Sequence, residues 1–159
     1  MKSGEKSTTG GPVSRYVTFH LGDETYAVNV MQVQEVLRIA EIAPVPGAPD
    51  YVLGIINLRG NVVTVIDARS RLGLPPKEED DSTRIIVLEA DKQVIGMKVD
   101  NVAEVAELAA ADIEAAPNIG NDESSKYIQG IASRDGELVI VVDLKRFLNE
   151  EEWQEIGSL

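Results

Sequence analysis

YVLGIINLRGNVVTVIDAR, residues 51–69, decides the fold of this chain, because it returns 76 positions later as YIQGIASRDGELVIVVDLK, residues 127–145. The two stretches align without a gap. The identical positions are, in the first copy, Tyr51, Gly54, Ile55, Gly60, Val63, Val65 and Asp67. A long repeat at a fixed offset indicates a duplicated structural unit.

A second block repeats earlier in the chain, at an offset of 69. It matches Val30, Val33, Glu35 and Val36 with Val99, Val102, Glu104 and Val105. Both blocks keep their order in the two halves. Because each repeat of about 65 residues buries little surface alone, we expect the halves to share a core. Residues found in both copies are typical of shared structure, so those found in one copy are the candidates for function.

Short apolar runs rich in Val and Ile, separated by turn residues, favour strands. Aromatic residues make up only 4% of the chain, so the core must be aliphatic. We predict a mainly β fold of two small β-barrels with short helices. The expected segments are a disordered N-terminal tail (1–14), a first barrel (15–76), an acidic linker (77–83), a second barrel (84–148) and a C-terminal helix (149–159).

The pattern also predicts local features. Apolar residues at helical spacing predict a short helical turn within Met31–Leu37, and a second is expected within Ala109–Ala115. Asp67 and Asp143 each follow a β-rich run and precede a short helical segment, the position of an N-cap. Pro117–Ser125 is rich in Gly, Asn, Asp and Ser and is expected to form a loop.

The charge and composition exclude several classes of function. The net charge of −12 makes nucleic acid and anionic membranes poor partners, because binding them needs clustered Lys and Arg. The absence of cysteine removes disulfides, thiol catalysis and thiolate metal sites. No apolar stretch approaches the length of a membrane span, and residues 1–14 lack the apolar core of a signal peptide. This composition is compatible with the cytoplasm.

No catalytic set stands out, and we expect no metal and no cofactor. His20 is the only histidine, it sits within a predicted strand, and no Gly-x-Ser-x-Gly or phosphate-binding glycine motif is present. The carboxylates of Asp67 and Asp143 occupy the same place in each repeat. That placement favours capping over catalysis.

Some residues differ between the two copies, and one of them is an arginine at the turn of the first copy. Arg59 lies at the predicted turn before Gly60, where the second repeat has Asp135 before Gly136. An exposed arginine at a hairpin is a good recognition group, since its planar fork binds carboxylates and backbone oxygens. An ordinary surface arginine, or an internal partner for Glu35, explains the residue equally well.

A set of motifs, in this order and spacing, resembles the CheW family of bacterial chemotaxis coupling proteins. In the first half these motifs are GDETYAV (22–28), VQEV (33–36), GIINLRG (54–60) and VIDAR (65–69). In the second half they are GMKVD (96–100), VAEV (102–105) and YIQGI (127–131). The resemblance covers about residues 15–150.

The resemblance implies two five-stranded barrels of the SH3-like type, packed around a shared hydrophobic interface. It also implies a non-enzymatic scaffold that couples chemoreceptor cytoplasmic tips to the histidine kinase CheA, whose regulatory domain has the same fold. Such a scaffold would be cytoplasmic and associated with membrane receptor arrays through protein contacts, without inserting into the membrane.

Carried over position by position, the resemblance implies a set of binding residues. The receptor-binding surface includes Val33, Glu35, Arg59, Val102 and Val105. The glycines Gly54 and Gly96 match positions where the family is sensitive to coupling. Edge positions near Val28, Val30 and Ile42 are expected to bind the kinase. We further expect Glu35 to orient Arg59.

Other interpretations remain open at this point. The chain could be a detached regulatory domain of a chemotaxis kinase, or the adaptor part of an adaptor–receiver fusion. A hydrolase that uses a carboxylate pair would need catalytic roles for Asp67 and Asp143. An unrelated β-barrel peptide binder would need an aromatic-lined groove, which two Phe, four Tyr and one Trp hardly supply.

Overall fold

The computed structural model describes residues 12–90, 92–115 and 127–157. The strands are β1 (Val13–Leu21), β2 (Glu24–Asn29), β3 (Val33–Arg38), β4 (Val52–Leu58), β5 (Asn61–Asp67), β6 (Arg84–Ala90), β7 (Gln93–Val99), β8 (Asn101–Ala109), β9 (Ile113–Glu114), β10 (Ile128–Arg134) and β11 (Glu137–Val142). The helices are α1 (Ala68–Arg71), α2 (Leu144–Phe147) and α3 (Glu150–Gly157), and 3-10 turns cover Val30–Gln32 and Ala110–Asp112.

Several expected segments can be compared with these bounds. Most of the expected tail lies outside the described residues, but Val13 and Ser14 already belong to β1. Residues 77–83 lie between α1 and β6, in no helix or strand. The expected loop Pro117–Ser125 lies outside the described residues. The C-terminal helix forms as α3, with Ile156 buried and Trp153 packed against the core.

The strands form two sheets. The six-stranded sheet has the order β8-β1-β2-β11-β10-β9, and the five-stranded sheet has the order β3-β6-β7-β5-β4. Neighbours pair antiparallel except β2 with β11 and β5 with β7, which pair parallel. The mainly β prediction is therefore confirmed.

The sheets do not follow the two halves of the chain. Each half gives its first hairpin, β1–β2 or β6–β7, to the sheet built by the other half, and the parallel pairs are the junctions. We call this arrangement the hairpin exchange. The expected division into barrels 15–76 and 84–148 therefore does not match the sheets. The sequence offsets show which strands of the two halves are equivalent. They do not show whether a hairpin pairs with strands of its own half or of the other half.

The two predicted β-barrels correspond to the two sheets, but neither sheet closes. Each sheet keeps two edge strands, β8 and β9 in one and β3 and β4 in the other. The chain that leaves β8 turns to form β9 at the opposite edge, and in the other sheet Ala43 makes an isolated bridge to Ile55. These pieces are too short to complete a ladder, so each sheet curls without closing.

The duplication extends to the irregularities of the sheets. The β3–β6 register skips Gln34, and the β1–β8 register skips Ala103, its equivalent at an offset of 69. The β4–β5 register skips Leu53, and the β10–β11 register skips Gln129, its equivalent at an offset of 76. Bulges shared by both copies show that the repeats have the same backbone path.

The helical turn expected within Met31–Leu37 is mostly wrong. Only Val30–Gln32 is helical, and β3 begins at Val33. Exposure alternates strictly along β3, the two-residue period of a strand, and pairing with β6 satisfies its backbone. The second expected turn is confirmed in its central residues, Ala110–Asp112.

The predicted N-caps are confirmed in both copies. The Asp67 carboxylate accepts a hydrogen bond from the Arg69 backbone N–H at 3.1 Å, and the Asp143 carboxylate accepts one from the Lys145 N–H at 3.0 Å. Both aspartates thus satisfy a free N–H group at the start of a short helix. Capping accounts for the presence of an aspartate at the same place in each repeat.

The largest core cluster lies between the sheets and is mainly aliphatic, as expected. It combines Phe19 and Val28 of the six-stranded sheet with Ile86 and Met97 of the five-stranded sheet, and α2 adds Phe147. A smaller cluster packs within each sheet. The halves therefore share a core, as their small size requires.

The junction between the halves contains an arginine between two equivalent tyrosines. The Arg71 guanidinium lies over the Tyr51 ring, 4.3 Å from its centroid, and over the Tyr127 ring at 4.8 Å. It also donates to the Phe147 carbonyl at 2.9 Å and pairs with Glu152 of α3. Burial raises the pKa of Tyr51 to about 12. One side chain thus connects α1, α2 and α3.

Two equivalent glycines allow chain segments to cross the sheet edges closely. A Cβ on Gly54 would lie 2.2 Å from the Ala43 carbonyl oxygen, and one on Gly130 would lie 2.5 Å from that of Glu114. Gly54 also has a φ of +150°, which side chains rarely adopt. Glycine is therefore required where Ala43 and β9 meet their sheets.

Substitution of Gly54 should measure this close approach. We expect Gly54→Ala to lower the free energy of unfolding by about 3 kcal/mol, since the clash is with backbone. Gly73 also has a positive φ, +76°, but a Cβ there meets nothing within 4 Å. Gly73→Ala should therefore cost only about 1 kcal/mol. Equal losses in urea denaturation would contradict the steric explanation.

A buried ion pair joins the two sheets. The Arg69 Nε and Nη2 donate to the Asp100 carboxylate at 2.8 and 2.6 Å, and the two side chains are only 13% and 10% exposed. The same carboxylate accepts the Gly22 N–H from the β1–β2 turn at 2.8 Å. The bonds from Arg69 hold the pKa of Asp100 below its ordinary value, although burial alone would raise it.

This ion pair should make stability depend on pH. A lowered folded-state pKa stabilises the protein above the unfolded value of about 4, and that contribution disappears as pH falls through the folded value. We expect Asp100→Asn to cost about 3 kcal/mol at neutral pH, because Arg69 keeps a buried, unpaired charge. The difference from wild type should shrink below about pH 4.

The matched control for this measurement is Asp81→Asn. Asp81 is exposed and bonds to Arg84 only through its backbone carbonyl. We expect a change within about 0.5 kcal/mol at every pH. Urea denaturation between pH 3 and 7 measures both variants, and a pH-independent Asp100→Asn deficit would contradict the assigned role of the carboxylate.

Candidate functional site

Among the described residues, no group of three or more His, Cys, Asp or Glu side chains could hold a metal ion. The His20 Nδ1 lies 2.6 Å from the Asn101 Oδ1, on the neighbouring strand. In the same part of the chain, no helix is both long and apolar enough to cross a membrane. The candidate site that the family resemblance implies is a surface.

Arg59 is held in place by a tight turn. It has a φ of +52°, Gly60 follows at +87°, and the Asn57 carboxamide accepts the Gly60 N–H at 2.9 Å. Two consecutive positive φ values are typical of the type I′ hairpin turn that connects β4 to β5. The strained backbone fixes the direction in which the arginine leaves the turn.

The expectation that Glu35 contacts Arg59 is confirmed. Arg59 Nη1 donates to Glu35 Oε1 at 3.2 Å, and Nη2 donates to Oε2. The Arg59 side chain is 69% exposed and the Glu35 side chain is 27% exposed. The bond from Arg59 lowers the pKa of Glu35, so the carboxylate stays charged well below neutral pH.

This ion pair spans the open seam of the five-stranded sheet. Glu35 lies on β3 at one edge, and Arg59 follows β4 at the other. The pair therefore joins two edges that no strand pairing connects in the described part of the chain. Arg59 is an internal partner for Glu35, yet its exposed guanidinium retains donors for another molecule.

The second half repeats the ion pair with a change of position. Arg134 Nη1 donates to Glu104 Oε2 at 2.9 Å. Glu104 is the copy of Glu35, but Arg134 aligns with Leu58, one residue before the copy of Arg59. A Glu–Arg pair across the seam is thus shared by both halves. The two pairs differ in the position of the arginine relative to the turn and in its exposure, which is 69% for the Arg59 side chain and 33% for that of Arg134.

The three valines assigned to the receptor surface lie in different settings. Val33 and Val102 are partly buried and pack against the largest core cluster. Val105 is 55% exposed and stands opposite Val17 on β1. With Glu35 and Arg59, the set therefore spans both sheets. Within the set, the Glu35 and Arg59 side chains form an ion pair with each other.

The two glycines assigned to coupling are packing positions. Gly54 accommodates the backbone of Ala43, as described above. Gly96 lies on β7 between β6 and β5, where an added Cβ would be 2.9 Å from the Ile85 Cγ2 and 3.3 Å from the Val65 Cγ2. Substitutions at either glycine would therefore disturb the packing of the sheet.

One of the three kinase-binding assignments is wrong. Val28 is completely buried, because β2 is an interior strand between β1 and β11 and its side chain points into the largest core. Val30 and Ile42 are partly buried beside core clusters and remain predictions. A repeat pattern marks apolar residues without distinguishing edge strands from interior ones.

Sequence reasoning missed a matched set of exposed apolar side chains. Val62 on β5 is 66% exposed and its copy Leu138 on β11 is 61% exposed. Val36 on β3 is 41% exposed and is the copy of Val105. These residues could have been found from the repeat alone, since an outward apolar position kept in both copies needs a reason.

Comparison with known proteins agrees with the fold described above. The CheW-like domain family matches residues 15–152 of the chain. Chemotaxis protein CheW of Rhizobium meliloti is 34% identical over 145 residues, covering 91% of this chain and 92% of that protein. Chemotaxis protein CheW of Bacillus subtilis is 32% identical, covering 97% and 93%.

A solved structure has the same architecture. The scaffolding protein TtCheW from Thermoanaerobacter tengcongensis superposes with a TM-score of 0.81 at 32% identity, and the match covers 89% of this chain and 97% of that one. The duplicated sheets, the repeated motifs and these similarities agree, and the chain belongs to the CheW family.

Proposed function

We propose that this chain couples the cytoplasmic tips of chemoreceptors to the histidine kinase CheA, so that receptors control kinase activity. Its family is one of chemotaxis scaffolds and not of enzymes, and the chain is a chemotaxis adaptor. The observation that carries the finer proposal is the Glu35–Arg59 ion pair, which presents a fixed, exposed guanidinium on a rigid turn.

The receptor surface in this proposal consists of Val33, Glu35, Arg59, Val102 and Val105. A receptor tip supplies a helix whose apolar face can pack on valines. Arg59 then binds polar groups at the border of the contact, with Glu35 limiting its rotamers. Such a charged border sets register and specificity more than affinity.

The kinase surface in this proposal lies on the first half of the chain. Val30 and Ile42 are partly buried, so they support the surface more than they form it. Val62, outward on β5, supplies an exposed aliphatic side chain that a barrel of the CheA regulatory domain could bury. Aliphatic burial suits docking between two domains of the same fold.

Coupling through such a scaffold needs no bond chemistry. Two interfaces on one rigid body raise the local concentration of kinase beside the receptor and fix their relative orientation. A receptor change alters kinase activity only if contacts through the scaffold differ between the two receptor states. In this proposal the protein works in the cytoplasm and joins receptor arrays through protein contacts alone.

Arg59→Ala should weaken receptor binding selectively. We expect about tenfold lower affinity for a soluble receptor cytoplasmic fragment and unchanged affinity for the CheA regulatory domain, because Arg59 belongs to only one surface. Calorimetric titration with each partner from the same genome measures both affinities.

The matched control for Arg59 is Arg134→Ala, which removes the equivalent seam ion pair in the second half. We expect it to keep full receptor affinity. Equal effects of the two variants would assign Arg59 a structural role only. The Glu35→Ala, Arg59→Ala double-mutant cycle should show coupling between the two side chains, which additive effects would refute.

Val62→Asp should weaken kinase binding, since it places a charge in an aliphatic contact. We expect at least about a tenfold loss of affinity for the CheA regulatory domain, with receptor binding retained. Leu138→Asp changes the equivalent residue of the other half and should have little effect. If Leu138→Asp abolished kinase binding and Val62→Asp did not, the kinase interface would lie on the second half.

Partner binding by the unsubstituted chain tests the whole proposal. If the folded protein bound neither the CheA regulatory domain nor the receptor fragment at saturating concentrations, the adaptor function would be refuted in this form. A general peptide-binding role would then be the better explanation of its exposed aliphatic residues.

A further inference from the structure

A groove at the C-terminal end of the chain takes no part in the function proposed above. It is an open groove of about 860 Å³ between the start of β7 and the helices α2 and α3. Its lining combines apolar, amide and charged side chains: Gln93, Lys145, Arg146, Leu148, Asn149, Glu150, Trp153 and Gln154. We call it the Trp153 groove, and its size suits a short ligand.

The apolar part of the Trp153 groove is small and well defined. Leu148 is buried, and Trp153 is partly buried against the largest core cluster, so the indole is held in place while one part of it stays accessible. A fixed aromatic side chain offers a large contact area at little entropic cost. An apolar side chain of a ligand would pack here.

Amide groups stand beside the indole. Gln93 donates through Nε2 to the Trp153 carbonyl at 3.3 Å, which leaves its side-chain carbonyl oxygen as an acceptor. Asn149 accepts the Glu152 N–H at 2.8 Å through Oδ1, which leaves its side-chain amide as a donor. A donor and an acceptor in fixed positions match the two polar groups of an extended peptide backbone.

Lys145 provides a charge that nothing in the described chain neutralises. It is the copy of Arg69, yet Arg69 is buried against Asp100 whereas Lys145 is exposed and has no carboxylate within 4.0 Å among the described residues. Its neighbour Arg146 pairs with Asp143 at 3.5 Å. Arg38 and Lys92 also lack a carboxylate partner among the described residues, but neither of them lines this groove.

We propose that the Trp153 groove binds a short extended peptide segment that carries an acidic side chain. The indole packs on an apolar side chain, the two amides bond the peptide backbone, and Lys145 pairs with the carboxylate. Glu150, on the rim, repels a second acid and limits the acidic position to the Lys145 end. The site shares no residue with the receptor or kinase surfaces, so it does not rest on their assignment.

The only tryptophan of the chain reports on this groove directly. The full chain is titrated with a pool of blocked hexapeptides that have one fixed central Glu and random flanking residues, and Trp emission is recorded. A matched pool has Gln in place of the Glu. We expect a saturable emission change with the Glu pool and at least about a fivefold smaller response with the Gln pool at equal concentration.

Two variants separate the groove from general charge effects. Lys145→Gln should reduce the response to the Glu pool to that of the Gln pool, without a change in thermal unfolding. Lys77→Gln makes the same charge change in the segment before β6 and should leave the response intact. No saturable change with either pool, equal responses to both pools, or an unaffected Lys145→Gln variant would each overturn the proposal.

Discussion

The parallel pairing of β2 with β11 and of β7 with β5 is the constraint on which the rest of the structure depends. Parallel neighbours cannot be joined by a tight turn, so each pair must bring together distant segments. Here the segments come from opposite halves, and the hairpin exchange follows. Neither sheet is complete without strands from both repeats, which gives two small units one shared core and a fixed relative orientation.

The ion pair between Arg69 and Asp100 strengthens this arrangement at one place. Asp100 follows β7 of the five-stranded sheet, yet it also accepts a bond from the turn between β1 and β2. The equivalent of Arg69 in the second half is the exposed Lys145. Both residues are positively charged, but only Arg69 is buried in an ion pair. The halves therefore share a backbone path but differ in how their charged side chains are paired.

The same asymmetry appears at the junction of the halves. Arg71 lies between Tyr51 and Tyr127, and its own copy is Phe147, to whose carbonyl it donates. If both copies had an arginine at this position, two like charges would meet at the junction. Because the second copy has Phe147 instead, the single Arg71 guanidinium can lie over both tyrosine rings. Duplication has thus been followed by specialisation where the copies meet.

The repeat predicted the class of fold, the aliphatic core and the capping roles of Asp67 and Asp143, because those depend on local pattern. It also led to the contact between Glu35 and Arg59, through the family resemblance. It could not reveal the hairpin exchange, since equivalent strands fit either sheet equally well. For the same reason it misplaced Val28, whose burial depends on which strands flank β2.

The hairpin exchange also orders events during synthesis. The five-stranded sheet has all its strands once β7 has been made, so it can form while the chain is still growing. β1 and β2 precede all other strands, but they must wait for β8, which follows β7, and for β11, the last strand in the chain. Until then this hairpin exposes unpaired edges, a state that invites association with other chains. The first strands of the fold are therefore among the last to complete their pairing.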